Sequence, residues 1–145
     1  MQTTVSDILR RKGSVVISVR PEQSIFELVQ TYIEHNIGAV LVMSEGSLVG
    51  IVSERDVARN IVQHNKDEQA TRVSEIMSRD VITVSPDMTI EACMAMVTSM
   101  RVRHLPVLVE NQVIGVLSIG DLVNSLISQK QFVIEQLEGY ITGRL

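Results

Sequence analysis

The sequence predicts an α/β (α+β) fold in which two β-α-β-β-α repeats pack sheet to sheet about a pseudo-two-fold axis, with an added C-terminal helix. Three observations lead to this prediction. Residues 16–59 align without a gap on residues 81–124, the apolar periodicity is the same in both copies, and 145 residues suffice for two small halves around a shared core. Because the buried fraction of a chain falls with its length, one copy alone would bury little apolar surface.

The duplication is clearest in GIVSERDVAR (50–59) and GVLSIGDLVN (115–124), which keep Gly, Ser and Asp at one spacing. The offset of 65 residues brings together ten identical pairs: Val16/Val81, Ile17/Ile82, Val19/Val84, Pro21/Pro86, Ile25/Ile90, Val42/Val107, Glu45/Glu110, Gly50/Gly115, Ser53/Ser118 and Asp56/Asp121. Upstream, VSDIL (5–9) matches VSEIM (73–77) at an offset of 68, so the first copy carries three extra residues near RRKGS.

The first copy opens with a strand over residues 16–19, which Pro21 closes. Ser24 then caps a helix, and Glu27 completes a capping box. This helix carries a core-facing apolar stripe at helical spacing: Ile25, Leu28, Val29, Tyr32 and Ile33. The apolar runs AVLVM (39–43) and LVGIV (48–52) flank a turn with Gly and indicate a hairpin, after which a second helix opens at Asp56.

The second copy repeats this order, with Thr89 as the helix cap, strands in LPVLV (105–109) and VIGVL (113–117), and a second helix opening at Asp121. The polar segment HNKDEQATR (64–72) is the evident linker. These features divide the chain into a first repeat (1–63), the linker (64–72), a second repeat (73–127) and a helical tail (128–145).

Composition excludes several classes of protein. The net charge of −4 argues against a nucleic-acid partner, although a local basic site for a small anion remains compatible with it. Cys93 is the single cysteine and lies on an apolar helix stripe, so neither a disulfide nor a thiol nucleophile is expected. No secretory signal and no apolar run of membrane-spanning length occur, and we expect a cytoplasmic protein without membrane contact.

Catalytic and metal-site motifs are also missing from the sequence. There is no P-loop and no G-x-G-x-x-G fingerprint. The three histidines are isolated and no Cys pair occurs, so no zinc site is expected. Ser53 has no repeated His beside it to act as a base, which argues against a hydrolase.

The duplicated Ser-x-x-Asp motif has two interpretations, a helix cap and a ligand site. Ser53 ends a strand and Asp56 lies at or beside the N-cap of the next helix, where both residues can simply satisfy free backbone N–H groups. The same location lets a carboxylate accept hydrogen bonds from a ribose diol, while the helix end attracts a phosphate. The spacing alone does not decide between these readings, for this pair or for Ser118 and Asp121.

Residues near these motifs favour a ligand. Gly120 removes a side chain where a ligand would approach, and Arg55 offers donors suited to phosphate, although Gly120 also fits a backbone requirement and Arg55 a solvated surface. RVRHLPV (101–107) places Arg101, Arg103 and His104 before a strand, whereas its counterpart NIGAVLV (36–42) is uncharged. The basic group suits an anion or, alternatively, pairs with nearby carboxylates.

The tail has the longest helical pattern in the chain. Its apolar positions step by three and four: Val123, Leu126, Lys130, Val133, Leu137 and Tyr140, with only Lys130 polar. Ile127, Ile134 and Ile141 add a flanking seam. The helix either packs on its own domain or forms a homodimer, and the pattern favours the homodimer.

The duplicated unit resembles the CBS domain pair, named for the C-terminal region of cystathionine β-synthase. The likeness rests on ISVRP and ITVSP, on RHLPV, and on the endings GIVSERD and GVLSIGD. It covers nearly the whole chain and implies a stand-alone pair similar to the single-pair proteins of bacteria and plant organelles. The frequent Thr of the ending is Ser in both copies, which keeps the hydroxyl and loses a methyl contact.

The resemblance implies two clefts that bind adenosine compounds: AMP, ADP, ATP, NAD, or S-adenosylmethionine as a further candidate. It implies that Asp56 and Asp121 hold ribose hydroxyls and that Ser53 and Ser118 place the ribose or phosphate. Base and phosphates would be framed by residues of the first strands and by those before the second strands: Ser18, Val19, Arg20, Thr83, Val84, Ser85, Ile37, Gly38, Ala39, Val102, Arg103 and His104. Pro106 would shape the second cleft.

The hypothesis from the sequence is therefore a non-catalytic sensor that binds an adenine nucleotide in the clefts between its halves and signals to an unidentified regulated protein. A homodimer is expected. The alternative is a homodimeric interaction module whose clefts are vestigial and whose helices carry the contacts.

Overall fold

The computed structural model describes residues 2–142. Five helices lie at Val5–Lys12 (α1), Ile25–His35 (α2), Glu54–Val62 (α3), Ile90–Met100 (α4) and Ile119–Thr142 (α5), with one 3-10 turn at Val73–Glu75. Five strands lie at Ser18–Val19 (β1), Ala39–Ser44 (β2), Ser47–Ser53 (β3), His104–Val109 (β4) and Gln112–Ser118 (β5). The side chain of Tyr140 and residues 143–145, which the sequence assigns to the tail, lie outside the described residues.

Two small sheets form the centre of the molecule. The first has the order β1-β2-β3, with β1 parallel and β3 antiparallel to β2. The second is the antiparallel pair β4-β5, and β3 packs against β5 across the middle of the protein. The predicted α/β class and the pairing of two similar halves are confirmed.

The opening strands are shorter than the sequence predicts. The strand expected over residues 16–19 is reduced to Ser18–Val19, and its counterpart in the second half is a single bridge between Val84 and Val107. The second case has a physical cause. Pro106 stands where the first half has Leu41, the partner of Ser18, and a proline has no backbone N–H to donate to a neighbouring strand.

The segment that precedes the opening strand of each half, its leading segment, packs into the core of the other half. Val5, Ile8 and Leu9 of α1 belong to the core formed by α4, β4, β5 and the start of α5. Val73 and Ile76 belong to the core of the first half. The sequence did not predict α1, nor this exchange of segments between the two cores.

Equivalent hydrogen bonds hold both exchanged segments. The amide of Ser6 donates to the carbonyl of Pro86 at 2.9 Å, and the amide of Ser74 donates to the carbonyl of Pro21 at 3.0 Å. The amides of Ile90 and Ile25 donate to the carbonyls of Thr3 (3.1 Å) and Thr71 (3.0 Å). The duplicated prolines therefore mark where each segment docks.

The duplicated glycines lie where the exchanged segments cross the strands. A Cβ on Gly50 would lie 2.6 Å from the sulfur of Met77 and 2.9 Å from the carbonyl oxygen of Ser78. A Cβ on Gly115 would lie 2.7 Å from Cδ2 of Leu9. Leu9 and Met77 are equivalent residues of the two leading segments, so packing alone accounts for a glycine at each crossing.

We expect Gly50→Ala to lower the free energy of unfolding by about 1–3 kcal/mol, the usual cost of overpacking a core. The reason is that Ser78 is fixed, since its backbone exchanges hydrogen bonds of 2.9 and 3.0 Å with Ile51. Gly115→Ala should cost less, because only the flexible end of Leu9 must move. Urea unfolding of the purified variants measures both.

Gly120→Ala is the matched control, since its Cβ would lie 3.6 Å from Oγ of Ser118, an ordinary contact. Its stability should equal or exceed that of the parent protein, because alanine favours a helix over glycine. Equal stability of Gly50→Ala and Gly120→Ala would contradict the account of the crossing.

Candidate functional site

Two clefts lie between the halves. The Asp121 cleft has a volume of about 330 Å³ and is lined by Lys12, Val15, Ile17, Ile37, Gly38, Ala39, Val40, Leu41, Ile51, His104, Val116, Ser118 and Asp121. The Asp56 cleft has a volume of about 520 Å³ and is lined by Gly38, Ala39, Ile51, Ser53, Glu54, Arg55, Asp56, Ser78, Asp80, Val81, Ile82, Arg101, Val102, Arg103 and His104. Each cleft combines the Ser-x-x-Asp of one half with the opening strand region of the other.

The helix that follows each motif begins with a capping box. Ser53 is the N-cap of α3 and Asp56 is its third residue, so Asp56 does not itself occupy the N-cap. The amide of Ser53 donates to Oδ2 of Asp56 at 2.9 Å, and the amide of Asp56 donates to Oγ of Ser53 at 3.2 Å. The amides of Ser118 and Asp121 make the equivalent bonds at 2.8 and 3.1 Å.

Capping explains the spacing of the motif without a ligand. Thr4 and Asp7 form the same box at the start of α1, with the Thr4 amide 2.9 Å from Oδ2 of Asp7, and Asp7 lines neither cleft. Within residues 2–142, however, the hydrogen bonds that the side-chain carboxylates of Asp56 and Asp121 accept all fall on Oδ2. Oδ1 of each carboxylate is therefore left for an additional donor.

The backbone ties the cleft walls to these helix ends. The amide of Glu54 donates to the carbonyl of Gly38, and the amide of Ile119 donates to the carbonyl of Arg103, both at 2.9 Å. Each bond joins the first residue of a helix to the residue immediately before the neighbouring strand. The segments before β2 and β4 are thereby held beside the two carboxylates.

Lys12 enters the Asp121 cleft from the end of α1. Its Nζ lies 2.6 Å from Oδ2 of Asp121 and 2.8 Å from the carbonyl oxygen of Val116. Burial alone would raise the pKa of Asp121, but the hydrogen bonds from Lys12 and from the Ser118 amide outweigh it and hold the pKa below its usual value. Asp121 is therefore ionised and already paired with a cation.

The Asp56 cleft carries a different set of charges. Arg55, Arg101 and Arg103 line it together with Glu54, Asp56 and Asp80. Among the described residues, no carboxylate lies within ion-pair distance of any of these three arginines. Their guanidinium groups are thus available to an anion that enters this cleft.

His104 lines both clefts. Burial lowers the pKa of His104, and the positive charges of Lys12 and Arg103 add to this, while Asp121 acts in the opposite direction. The imidazole is therefore neutral at physiological pH, and each of its forms exposes a donor and an acceptor between the two clefts.

Comparison with known proteins agrees with this architecture. The family model described as the CBS domain matches residues 5–63 and, a second time, residues 73–128. The chain belongs to the CBS domain family. The family predicted from the repeated endings is therefore confirmed.

The chain is similar to three further CBS domain proteins along most of its length. The mitochondrial CBS domain-containing protein CBSX3 of Arabidopsis thaliana is 31% identical over 150 residues, which cover 97% of this chain and 73% of the relative. The crystal structure of the CBS domain protein NE2398 has a TM-score of 0.83 at 47% identity and covers 88% of this chain and 99% of its own.

The third is the CBS domain pair of protein MJ0100, solved in complex with 5′-methylthioadenosine and S-adenosyl-L-methionine. It has a TM-score of 0.77 at 29% identity and covers 90% of this chain and 99% of its own. CBS domain pairs are regulatory modules, and this neighbour binds adenosine-containing ligands.

Some residues that the resemblance implied do not line a cleft. Val19 and Val84 are buried in the two cores. Ser18 and Arg20 are exposed, and Arg20 pairs with Glu22 at 3.1 Å. Thr83, Ser85 and Pro106 also lie outside both linings, as does Gly120, which its position in the repeated motif had suggested. Pro106 is a buried residue of β4, and its missing N–H limits the opening strand of the second half to a single bridge.

Several lining residues were missed by the sequence analysis. Ile17 and Ile82 stand one position before the residues expected in the clefts, and Lys12 and Asp80 lie further upstream. The signal was present, because Lys12 and Asp80 are equivalent at the offset of 68 that aligns VSDIL with VSEIM. Only the exchange of the leading segments shows why such distant residues reach the clefts.

Residues 2–142 contain neither a membrane-spanning helix nor a cluster of metal ligands. No helix in this part of the chain is both long enough and apolar enough to cross a bilayer. Within the same residues, no three His, Cys, Asp or Glu side chains are grouped as metal ligands would be.

We expect the imidazole of His104 to titrate below the ordinary value of 6.5. Because its folded pKa is depressed, the unfolded chain binds the proton more readily, so His104 supports folding above its unfolded pKa and this support is lost as pH falls through the folded pKa. Lys12→Met should move the midpoint upward by removing a neighbouring positive charge. Histidine NMR titration measures the midpoint directly.

Arg10→Met is the control, since Arg10 lies on the same helix but pairs with Asp7 at the surface. It should leave the His104 titration unchanged. A wild-type midpoint at or above 6.5 would show that burial does not govern this histidine.

Proposed function

We propose that this CBS pair is a non-catalytic sensor that binds an adenosine-containing ligand between its halves and passes the occupancy to a regulated protein. One observation carries the proposal. In each cleft a carboxylate at the start of a helix, Asp56 or Asp121, keeps one oxygen without a hydrogen bond from the described residues. That oxygen can accept a hydrogen bond from a ribose hydroxyl.

The surroundings of each carboxylate suit the other parts of such a ligand. In the Asp121 cleft, Val15, Ile17 and Ile37 offer an apolar wall for a flat base. In the Asp56 cleft, Arg55, Arg101 and Arg103 offer donors for phosphates. We therefore propose AMP, ADP, ATP or NAD for the Asp56 cleft, with S-adenosylmethionine as the candidate suggested by MJ0100.

The serines of the motif support a binding role over a catalytic one. The Ser53 hydroxyl donates to Asp56 at 3.1 Å and accepts from the Asp56 amide at 3.2 Å, so it is used in the helix cap. A serine nucleophile needs a base that takes its proton, and the carboxylate that holds this hydroxyl is itself committed to the cap. We propose that both serines position the carboxylates.

Signalling to a partner requires that the ligand prefer one arrangement of the halves. A ligand shifts such an equilibrium only as far as its affinities for the two arrangements differ. Because both clefts are built from both halves, occupancy acts on the packing between them. The cytoplasmic location and the identity of the regulated protein stay predictions, and the relative CBSX3 is mitochondrial.

We expect one of AMP, ADP, ATP, NAD or S-adenosylmethionine to raise the melting temperature of the purified protein, with GMP as the negative ligand. Asp56→Asn together with Asp121→Asn should weaken this ligand by about 10- to 100-fold, since hydrogen bonds to a charged group contribute about 1.5–3 kcal/mol. Isothermal titration calorimetry measures the change.

Asp7→Asn is the matched control, because it alters the same kind of capping box outside both clefts. It should cost stability without changing ligand affinity. Unchanged affinity in the double Asp56 and Asp121 variant would show that the carboxylates do not hold the ribose, and a panel without any binding ligand would end the proposal.

A second candidate function is homodimerisation through α5. The last part of this helix has largely exposed apolar side chains: Ile127, Phe132, Val133, Ile134, Leu137 and Ile141. Exposed apolar patches of this kind commonly mark protein–protein contacts. A helical segment of this length is marginal alone in water and gains stability from a partner.

Val133→Ser together with Leu137→Ser should convert a dimer into a monomer, because both side chains are more than half exposed and their burial would be lost. Light scattering coupled to gel filtration measures the mass. Gln136→Ser is the control on the same helix and should leave the mass unchanged. A monomeric wild-type protein would rule this candidate out and leave the ligand proposal untouched.

A further inference from the structure

We infer that Lys12 is a specificity-determining residue of the Asp121 cleft: it favours adenosine ligands that carry an anionic group and disfavours the uncharged nucleoside. The inference rests on the proposed function, because it concerns which adenosine ligand each cleft accepts. It also makes the two clefts unequal although their carboxylates are duplicated.

The two carboxylates differ in what already occupies Oδ2. In Asp121, Oδ2 accepts the Ser118 amide at 2.8 Å and the Lys12 ammonium at 2.6 Å. In Asp56, Oδ2 accepts the Ser53 amide at 2.9 Å and the Ser53 hydroxyl at 3.1 Å. The variable donor is thus a cation in one cleft and a neutral hydroxyl that can rotate in the other.

This difference decides how easily a ribose diol is accepted. The two hydroxyls of a ribose donate to both oxygens of a carboxylate. One of the two hydroxyls must therefore donate to Oδ2. Displacing the Ser53 hydroxyl costs a hydrogen bond from a neutral donor, whereas displacing the Lys12 ammonium breaks an ion pair and leaves its charge to be compensated. The Lys12 ammonium then keeps only the uncharged carbonyl oxygen of Val116 and needs a new anionic acceptor within the cleft.

Only an anionic ligand supplies that acceptor. Lys12, His104 and Asp121 are the titratable residues that line the Asp121 cleft within the described chain, and His104 is neutral there. No second carboxylate in this lining can take over the ammonium. A phosphate or carboxylate group on the ligand can, and the flexible stem of Lys12 lets the ammonium follow it.

The Asp56 cleft has the opposite charge at the same place. Asp80, the equivalent of Lys12 in the second leading segment, lines that cleft, and no lysine lies beside Asp56 among its lining residues. Three arginines line this cleft, but Asp56 forms no ion pair within the described residues. We expect this cleft to accept adenosine and AMP alike as far as the ribose is concerned.

The test uses adenosine and AMP as a pair of probes in calorimetric titrations of the full chain. The Asp56→Asn background leaves the Asp121 cleft as the site to be measured. There AMP should bind at least about tenfold more tightly than adenosine, and adding Lys12→Met should bring this ratio close to one by weakening AMP and strengthening adenosine. Arg10→Met on the same helix should leave the ratio unchanged.

The second variant introduces the cation into the other cleft, so its result does not depend on whether Lys12→Met folds. In the Asp121→Asn background, Asp80→Lys should weaken adenosine more than AMP at the Asp56 cleft, since it brings the cation of one cleft into the other. Asp80 is exposed, so the substitution leaves the core intact.

The outcomes separate the inference from the function on which it rests. If neither probe binds the wild-type protein, the inference is overturned, and the proposed function is judged by ADP, ATP, NAD and S-adenosylmethionine in the panel described above. If both probes bind but the AMP-to-adenosine ratio at the Asp121 cleft is the same with and without Lys12, the inference is overturned and the proposed function stands.

Discussion

The crossing of the two leading segments over the paired strands is the constraint on which the rest of the structure depends. Leu9 passes Gly115 and Met77 passes Gly50 at distances that leave no room for a Cβ. Each segment then fills the core of the opposite half through Val5 and Ile8 or through Val73 and Ile76. The halves cannot separate without emptying both cores, so each cleft stays bounded by residues of both halves.

The sequence predicts most of the fold because its signals are local and occur twice. Ser24 and Glu27 form the expected capping box, the hairpins lie near their predicted positions, and the Ser-x-x-Asp motifs lead into helices. The predicted length of the opening strand of the second half is wrong. Pro106 has no backbone N–H, so a hydrogen-bond donor is missing that the apolar pattern does not reveal. The exchange of segments could not be predicted, because a buried Val5 has the same periodicity whichever core receives it.

The candidate site was predicted unevenly for the same reason. Asp56, Asp121, Arg55, Arg103 and His104 line the clefts as positions within each copy suggest. Lys12 and Asp80 come from the segments that change sides, so their relation to a carboxylate more than 20 residues away along the chain is visible only in three dimensions. One scaffold thus carries two clefts of different charge, and the differences lie in residues that are equivalent by sequence.

The exchanged segments also bear on how such a chain arose. A single copy of this unit would keep its leading segment on the outside and would leave its own core without Val5 or Val73. Two identical copies could complete each other by lending that segment across a symmetry axis, as domain-swapped dimers do. Gene duplication and fusion would then have turned a symmetric dimer into one chain, and released each former subunit to acquire its own charges. The opposed Lys12 and Asp80 are what such a released symmetry would leave behind.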